Sequence, residues 1–343
     1  MRAETHLARV PVTLADKVHF LSEPGSYRER PVAVELRETH MSYVFLTPAA
    51  VYKMKKPITN AYVDFQTLDA RGANCRTEVQ LNRRLAPRVY LGVVALTESC
   101  AGDLALEGDG EVVEWLVHMV RLPAARMLDH LILHNVLLPD DVSAVGWRLG
   151  EFFAAQPAVE ISTDRYVEQL RRQLEISIRL LVRPQFALPP ATLATVHSAL
   201  SRFLDDGIEL SARVRARRIV EGHGDLRPEH VCLLTPPAVI DCLEFSRDLR
   251  LVDPFDEIAF LDLECARLGA PWVGPLLRHT IEQRLQDQPS GRLIAFYTAL
   301  RACIRAHLAA AHLLDPEPRT PAKWLPLARD YLARAEQACA ALD

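Results

Sequence analysis

Apolar and polar positions alternate over short runs in the first third of the chain. The segments PVAVELRE (31–38), MSYVFLT (41–47) and AAVYKMKK (49–56) are brief and rich in β-branched and aromatic residues, and a turn around Pro48 separates the last two. That pattern predicts strands. LDARGANCRTEVQLNRRLA (68–86) changes to a helical period, with Leu68, Cys75, Val79, Leu81 and Leu85 roughly on one side. Strand patterning returns in VYLGVVAL (89–96), DLALE (103–107) and EVVEWLVHMVRL (111–122), where Gly102 and the Gly-Asp-Gly at 108–110 supply hairpin turns and Pro123 stops the last strand. The expectation is an antiparallel sheet interrupted by one helix.

The remainder reads as helical, near 126–136, 139–154, 163–183, 190–218, 254–268, 271–287, 291–314 and 321–341. Pro184, Pro189, Pro190, Pro236, Pro237, Pro316, Pro318 and Pro321 punctuate the gaps. One strand-rich island, RIVEGHGDLRPEHVCLLTPPAVIDCLEF, interrupts these helices at 218–245. A β-rich part followed by a helical part with a β-hairpin set early in it argues for one bilobal unit. The boundary falls near Pro123, giving lobes of 1–122 and 123–343.

Composition narrows the function classes. The 343 residues are 49% hydrophobic and 24% charged, as in a packed soluble protein. A net charge of -4 gives no electrostatic case for nucleic acid or an anionic membrane. No stretch reads as the roughly 18 apolar residues of a membrane span. The N-terminal MRAETHLARVPVTLADK lacks the apolar core of a signal peptide, so a cytoplasmic location is the default. Seven cysteines, scattered from Cys75 to Cys339 with no C-x-x-C pair, read as reduced thiols, not as a disulfide frame or zinc site. His130 and His134 share an i, i+4 spacing but have no third ligand close by, which favours a plain helix face. Only five of the 40 basic residues are lysines, and Lys53, Lys55 and Lys56 lie within four positions. Either this is a solvated strand edge, or the ammonium is needed there as a compact charge for phosphate.

The candidate chemistry lies in the island. His223-Gly224-Asp225-Leu226-Arg227-Pro228-Glu229-His230 is a polar run between apolar strands, and the apolar Ala238-Val239-Ile240 ends on Asp241, sixteen residues after Asp225. A carboxylate at the tip of a buried strand is costly unless it meets a cation. Two of them on adjacent strands suit phosphoryl transfer, one accepting the proton of an attacking hydroxyl and the other holding magnesium.

HGDLRPEH resembles the catalytic loop of the protein-kinase and aminoglycoside-phosphotransferase superfamily, in which H-x-D is followed five residues after the Asp by Asn. It is close to the protein-kinase form H-R-D-L-K-P-E-N, and VIDCLEF resembles the metal-binding strand that follows. ETHMSYVFL, VYKMKKP, VDFQTLDAR, EVQLNRRLAP, VYLGVV, MVRLP, HGDL and IDCLEF, in that order, resemble the hallmarks of a stand-alone branch related to aminoglycoside phosphotransferases. The resemblance runs from about residue 35 to about residue 265. The chain has no G-K-S/T run of the P-loop domain fused to some relatives.

This resemblance implies an α+β, protein-kinase-like bilobal fold with a β-rich N-lobe and a mainly helical C-lobe. It implies an ATP-dependent phosphotransferase acting on a hydroxyl of a small-molecule acceptor, with magnesium, or manganese in its place. Asp225 takes the role of catalytic base and Asp241 that of metal ligand. Lys53 grips the nucleotide phosphates, with Lys55 on the same strand face as its alternative, and Glu78 orients the lysine. Arg227 stands where it meets the transferred phosphate. Turn, cap or surface roles remain the plain alternatives for these residues. Adenine is expected between the lobes near the Met119–Leu122 connector.

Two departures matter. His230 stands in place of the second metal ligand, and imidazole suits manganese or zinc better than magnesium. Either it binds metal differently, or one ion on Asp241 suffices, or turnover is reduced. The loop ETHMS has no glycine, so Thr39, His40 and Ser42 are the candidates for phosphate contacts. Asp253, as N-cap before Pro254, and Asp256 read as structural, and RVRARRIV (213–220) as a solvated helix end. A nucleotide-binding pseudokinase without turnover is the alternative function. A protein kinase is disfavoured, because only 12 residues separate Asp241 from Asp253. The sequence specifies neither the acceptor nor an oligomeric state.

Overall fold

A computed structural model describes residues 11–59, 62–315 and 318–342; what was expected of the first ten residues and of Pro316 lies outside them. The chain divides into two compact units, the first ending at Pro123 and the second beginning at Ala124.

The first unit opens on a helix, α1 (Leu14–Ser22), that the strand reading of this region did not foresee. Its start is a capping box: the Thr13 hydroxyl accepts from the Asp16 N–H at 3.2 Å, and the Asp16 carboxylate accepts from the Thr13 N–H at 2.9 Å. Six antiparallel strands follow, β1 (Glu35–Glu38), β2 (Ser42–Leu46), β3 (Ala50–Lys55), β4 (Tyr90–Glu98), β5 (Leu104–Leu106) and β6 (Glu111–Val120). They form one sheet in the order β1-β2-β3-β6-β4-β5. The helix α2 (Leu68–Asn82) lies between β3 and β4 in the chain. Leu21 of α1 packs with Phe45, Tyr52, Met54, Leu96 and Leu116 from the strands in a buried cluster. Glu114 of β6, 1% exposed, ties both helices to the sheet: it takes two 2.8 Å bonds from Arg71 of α2 and one of 3.0 Å from Lys17 of α1. Arg71 also donates to the carbonyls of Phe65 and Gln66, at 2.8 and 3.0 Å. That clamp gives the VDFQTLDAR stretch a structural task, and Gly72 completes it, because a Cβ there would fall 2.6 Å from Trp115 of β6.

The second unit is helical: α3 (Leu128–Leu133), α4 (Pro139–Ala155), α5 (Thr163–Leu181), α6 (Pro190–Asp206), α7 (Ile208–Arg215), α8 (Pro254–Arg267), α9 (Val273–Leu285), α10 (Gly291–Ala311) and α11 (Pro321–Cys339). Between α7 and α8 lie four two-residue strands, β7 (Val220–Glu221), β8 (Val231–Cys232), β9 (Ala238–Val239) and β10 (Leu251–Val252), paired as β7 with β10 and β8 with β9. The helix expected over 190–218 is two helices, because Gly207 at φ 60° turns the chain out of helical geometry.

α10 packs against α5, α6, α8 and α11. By length and mean hydropathy, 1.2, Gly291–Leu314 passes the test for a membrane span that the sequence was expected to fail; many alanines raise the mean, and 61% of its window is buried inside the protein. Asp253 caps α8 through the Phe255 N–H at 3.0 Å, as expected. It also receives Arg213, at 2.5 and 3.0 Å, and the Tyr297 hydroxyl at 3.2 Å. Arg213 grips Asp287 as well, through two bonds of 2.7 Å. The segment read as a solvated helix end thus supplies a buried arginine that locks the start of α8. Asp256 is held in the same way by Arg301 of α10, at 2.7 and 2.6 Å.

Candidate functional site

In the first unit, period-two geometry puts Lys53 and Lys55 on one face of β3. Both reach Glu78 of α2, Lys53 at 2.9 Å and Lys55 at 2.5 Å. Glu78 is fully buried, and the Lys55 and Lys53 side chains are 1% and 15% exposed. Two ammonium groups share one carboxylate, and Lys53 is the more accessible of the two. Lys56 differs: it pairs with Glu38 at 2.5 Å and lies over the Tyr43 ring.

The ETHMS turn between β1 and β2 closes on itself. Thr39 N–H donates to the Ser42 carbonyl at 2.8 Å, and Ser42 N–H donates to the Thr39 hydroxyl at 2.9 Å. His40 is exposed and Ser42 is buried; the Ser42 hydroxyl makes no hydrogen bond among the described residues. Met119 belongs to β6, paired with Val51 and Tyr90, so the connector proper starts after Val120 and holds Leu122, which is half-buried.

In the second unit the polar run leaves β7 and enters β8. Its backbone is fixed from below by Glu257 of α8, a residue the sequence reading did not single out. The Glu257 carboxylate, 1% exposed, accepts from the His223 N–H at 2.9 Å and closely from the Gly224 N–H. Gly224 sits at φ 89°, which a side chain would strain. The His223 ring bridges to the next strand, its Nε2–H donating to the Ile240 carbonyl at 2.9 Å, and burial pushes its pKa down to about 4, so the ring is neutral.

Asp225 follows with its side chain 30% exposed. Its Oδ2 accepts from Arg227 Nε at 3.1 Å and lies 3.0 Å from Nη2. Burial pulls the Asp225 pKa upward, but the electrostatic pull of Arg227, with His230 and Arg305, outweighs it and holds the carboxyl below its ordinary 3.8. Arg305 comes from α10, outside every motif in the sequence. Arg227 also grips Glu229 at 2.5 Å.

His230 is 6% exposed and already engaged at both ring nitrogens. Nδ1–H donates to the Asp225 carbonyl at 2.8 Å, and Nε2 takes a bond from Arg227 Nη2 at 3.1 Å. The same Nε2 lies 3.6 Å from Asp241 Oδ2. The structure therefore brings Asp225, Arg227, His230 and Asp241 together, with Arg227 on the His230 ring nitrogen that faces Asp241. Asp241 is 44% exposed and holds a left-handed backbone at φ 60°, the kind of strain that gathers at functional positions. An exposed carboxylate fits magnesium, which keeps several waters and takes one or two carboxylates plus phosphate oxygens. His130 and His134 stack at 3.8 Å, and no group of three metal-ligating side chains occurs among the described residues.

No family model matches the chain. Curated proteins of Mycobacterium bovis and Mycobacterium tuberculosis, both described as uncharacterized, are 28% identical over 293 residues, which is 84% of this chain and 57% of theirs. The chain thus spans little more than half the length of these relatives. Among solved structures, a choline kinase from Cryptosporidium parvum covers 94% of the chain and 93% of its own at a TM-score of 0.55 and 12% identity. A choline/ethanolamine kinase family protein from Mesorhizobium loti covers 95% and 98% at 0.53 and 13%. At such identities the likeness is one of fold: the chain has the kinase-like α+β fold that its motifs resemble.

Proposed function

We propose that the protein is an ATP-dependent phosphotransferase acting on a hydroxyl of a small-molecule acceptor. The observation that carries this reading is Asp225: an ionised, partly exposed carboxylate on a loop whose backbone is held by Glu257 and whose neighbour is the exposed Asp241. In the reaction the acceptor oxygen bonds to the γ-phosphorus, the bond from that phosphorus to the β–γ bridging oxygen breaks, and ADP leaves. The acceptor proton passes to Asp225. A carboxylate of low pKa serves here because the transition state is loose, so the base mainly orients the hydroxyl and takes its proton late. Lys53 and Lys55 neutralise the nucleotide phosphates, and Glu78 keeps both lysines aimed. Asp241 would hold magnesium, which supplies charge neutralisation on the phosphate oxygens. His230 fixes the loop, and Arg227 exchanges its grip on Asp225 for the transferred phosphate. A cytoplasmic setting is part of this reading.

A nucleotide-binding pseudokinase is the second reading, favoured by the Arg227–Asp225 pair at 3.0 Å that blocks the base as it stands. Transfer from labelled ATP to a panel of hydroxyl compounds, with magnesium or manganese, separates the two. Asp225→Asn should lower turnover by roughly 10²- to 10⁴-fold with ATP affinity retained, whereas Asp241→Ala should weaken metal-nucleotide binding. ATP binding without transfer to any acceptor would favour the pseudokinase.

A further inference from the structure

A cavity of about 500 Å³ opens in the first unit, between residues 20–30 and the sheet. Tyr52 of β3 lines it and directly precedes Lys53, so the cavity and the lysine pair lie on opposite faces of the strand. Three rings form one wall. Tyr27 meets Tyr52 at 5.0 Å and 49°, and Tyr52 stacks on His118 of β6 at 4.5 Å and 7°. Tyr52 and His118 are partners in register, and their ring spacing is close to that of neighbouring strands. These two rings thus stand side by side on the sheet, one per strand. On β4 the residue in register with His118 is Gly92, where a Cβ would meet nothing within 4 Å. No side chain there covers the far face of the His118 ring. Val94, two residues on and on the same face of β4, lines the cavity.

Most polar groups on this wall and around its mouth are unengaged. Tyr27 donates its hydroxyl to the Leu21 carbonyl. The Tyr52 hydroxyl and the His118 ring nitrogens make no hydrogen bond among the described residues, although Tyr52 is only 7% exposed. That hydroxyl is not sealed in the core either. Burial lowers the His118 pKa against the pull of Glu107 and Glu29, so near pH 7 the ring is neutral and offers one donor and one acceptor. Four exposed charges line the mouth: Arg28, Glu29, Arg30 and Glu107. None of their side chains makes an ion pair or hydrogen bond among the described residues, and neither sign is in excess. Arg30 and Glu107 hold left-handed backbones, at φ 42° and 52°, a strain that gathers at functional positions.

Shape and charge together select the occupant. A flat ring laid on the far face of His118 continues the stack and gains what aromatic pairs gain beyond burial. A plain amine would meet Glu29 and Glu107 but also face two guanidinium groups. A plain carboxylate would meet Arg28 and Arg30 but also face two carboxylates. A molecule with a ring and both charges matches all three features, with forked donors for its carboxylate and acceptors for its ammonium.

We propose that this cavity binds a zwitterion carrying an aromatic ring, the class to which the aromatic α-amino acids belong. The site stands independently of the phosphotransferase reading. The test is calorimetric titration of the full chain with tryptophan, tryptamine, indole-3-propionate and leucine. Tryptophan should bind. Tryptamine lacks the carboxylate, indole-3-propionate the amine and leucine the aromatic ring, and each should bind roughly tenfold more weakly or worse. Arg28→Gln combined with Arg30→Gln removes one sign from exposed side chains, and Glu29→Gln combined with Glu107→Gln removes the other, so the fold is kept. The first pair should abolish the advantage of tryptophan over tryptamine, and the second its advantage over indole-3-propionate. His118→Ala should weaken all three indoles. No binding of tryptophan, equal binding of any of the other three probes, or tryptophan binding unchanged in any of these variants would overturn the inference.

Discussion

Glu257→Gln tests whether the catalytic loop is held from α8. The carboxylate accepts the His223 and Gly224 N–H groups and is 1% exposed, so no water replaces it. Hydrogen bonds to a charged acceptor contribute about 1.5–3 kcal/mol each, and a neutral amide oxygen recovers about 1 kcal/mol while turning its own NH₂ toward an N–H donor. The net loss is about 3 kcal/mol, which for a unit of this size lowers Tm by about 6–12 °C. Asp225 lies two residues beyond His223, and a shift of 1 Å in a reacting group costs on the order of 100-fold in rate. Calorimetry should therefore show the lower Tm, and turnover should fall with ATP affinity retained. Burial raises the Glu257 pKa above its ordinary 4.5 although the two N–H groups pull it back. A raised carboxyl gains stability as pH falls through its folded pKa, so the gap between wild type and the neutral amide should widen toward acid pH. Gly222→Ala reaches the same point by another route, because its Cβ would fall 2.7 Å from Glu257 Oε2 and 2.6 Å from Val252. A Tm change under about 2 °C with wild-type turnover in Glu257→Gln would refute the anchoring argument.

Glu78→Gln removes the shared partner of two lysines, one of them 1% exposed, and should cost about 3–5 kcal/mol in urea unfolding; a loss under about 1 kcal/mol would mean the pair does not depend on it. His230→Asn should reduce turnover without altering the preference between magnesium and manganese, since both ring nitrogens are engaged; a switch from manganese to magnesium would restore the histidine as a ligand. Burial raises Asp262 from 3.8 to about 6 against the field of Arg278. A raised carboxyl contributes stability that is present below its unfolded pKa and lost as pH rises through about 6. Asp262→Asn should thus match wild type near pH 4 and exceed it by up to about 3 kcal/mol near pH 8. Equal urea midpoints at both pH values would contradict the shift.

What was legible in the sequence was local. Strands β1 to β6 and most helices announced themselves through period and punctuation, and the Asp253 cap through its place before Pro254. The loop at 223–230 and Asp241 stood out because polar residues at apolar strand ends are costly. Helix α1 was missed although Thr13 and Asp16 carried a capping pattern, because that stretch was weighed only as a targeting signal. The break at Gly207 was missed for a related reason: a single glycine inside a good helical period is tolerated as often as it ends the helix. Glu257 and Arg305 were beyond reach. Their partners lie 33 and 34 residues away for Glu257, and 41 and 26 for Arg305, and nothing in the periodicity of α8 or α10 distinguishes a charged residue that pairs inward from one that faces water.

The scarcity of lysine acquires a physical reason once the partners are known. Arg71 on Glu114, Arg213 on Asp253 and Asp287, and Arg301 on Asp256 are each buried and each bonded through at least two nitrogens. Only a planar fork satisfies both oxygens of a carboxylate in that way, so arginine is required at these positions and lysine would leave an acceptor unmet. On β3 the demand is reversed. One carboxylate, Glu78, receives two cations at 2.9 and 2.5 Å, one on each oxygen, from side chains two residues apart on the same strand. Two guanidinium forks would crowd that carboxylate and use up its acceptors, whereas two ammonium groups fit. The clustering of Lys53 and Lys55 in a chain otherwise built on arginine is thus a consequence of geometry at Glu78.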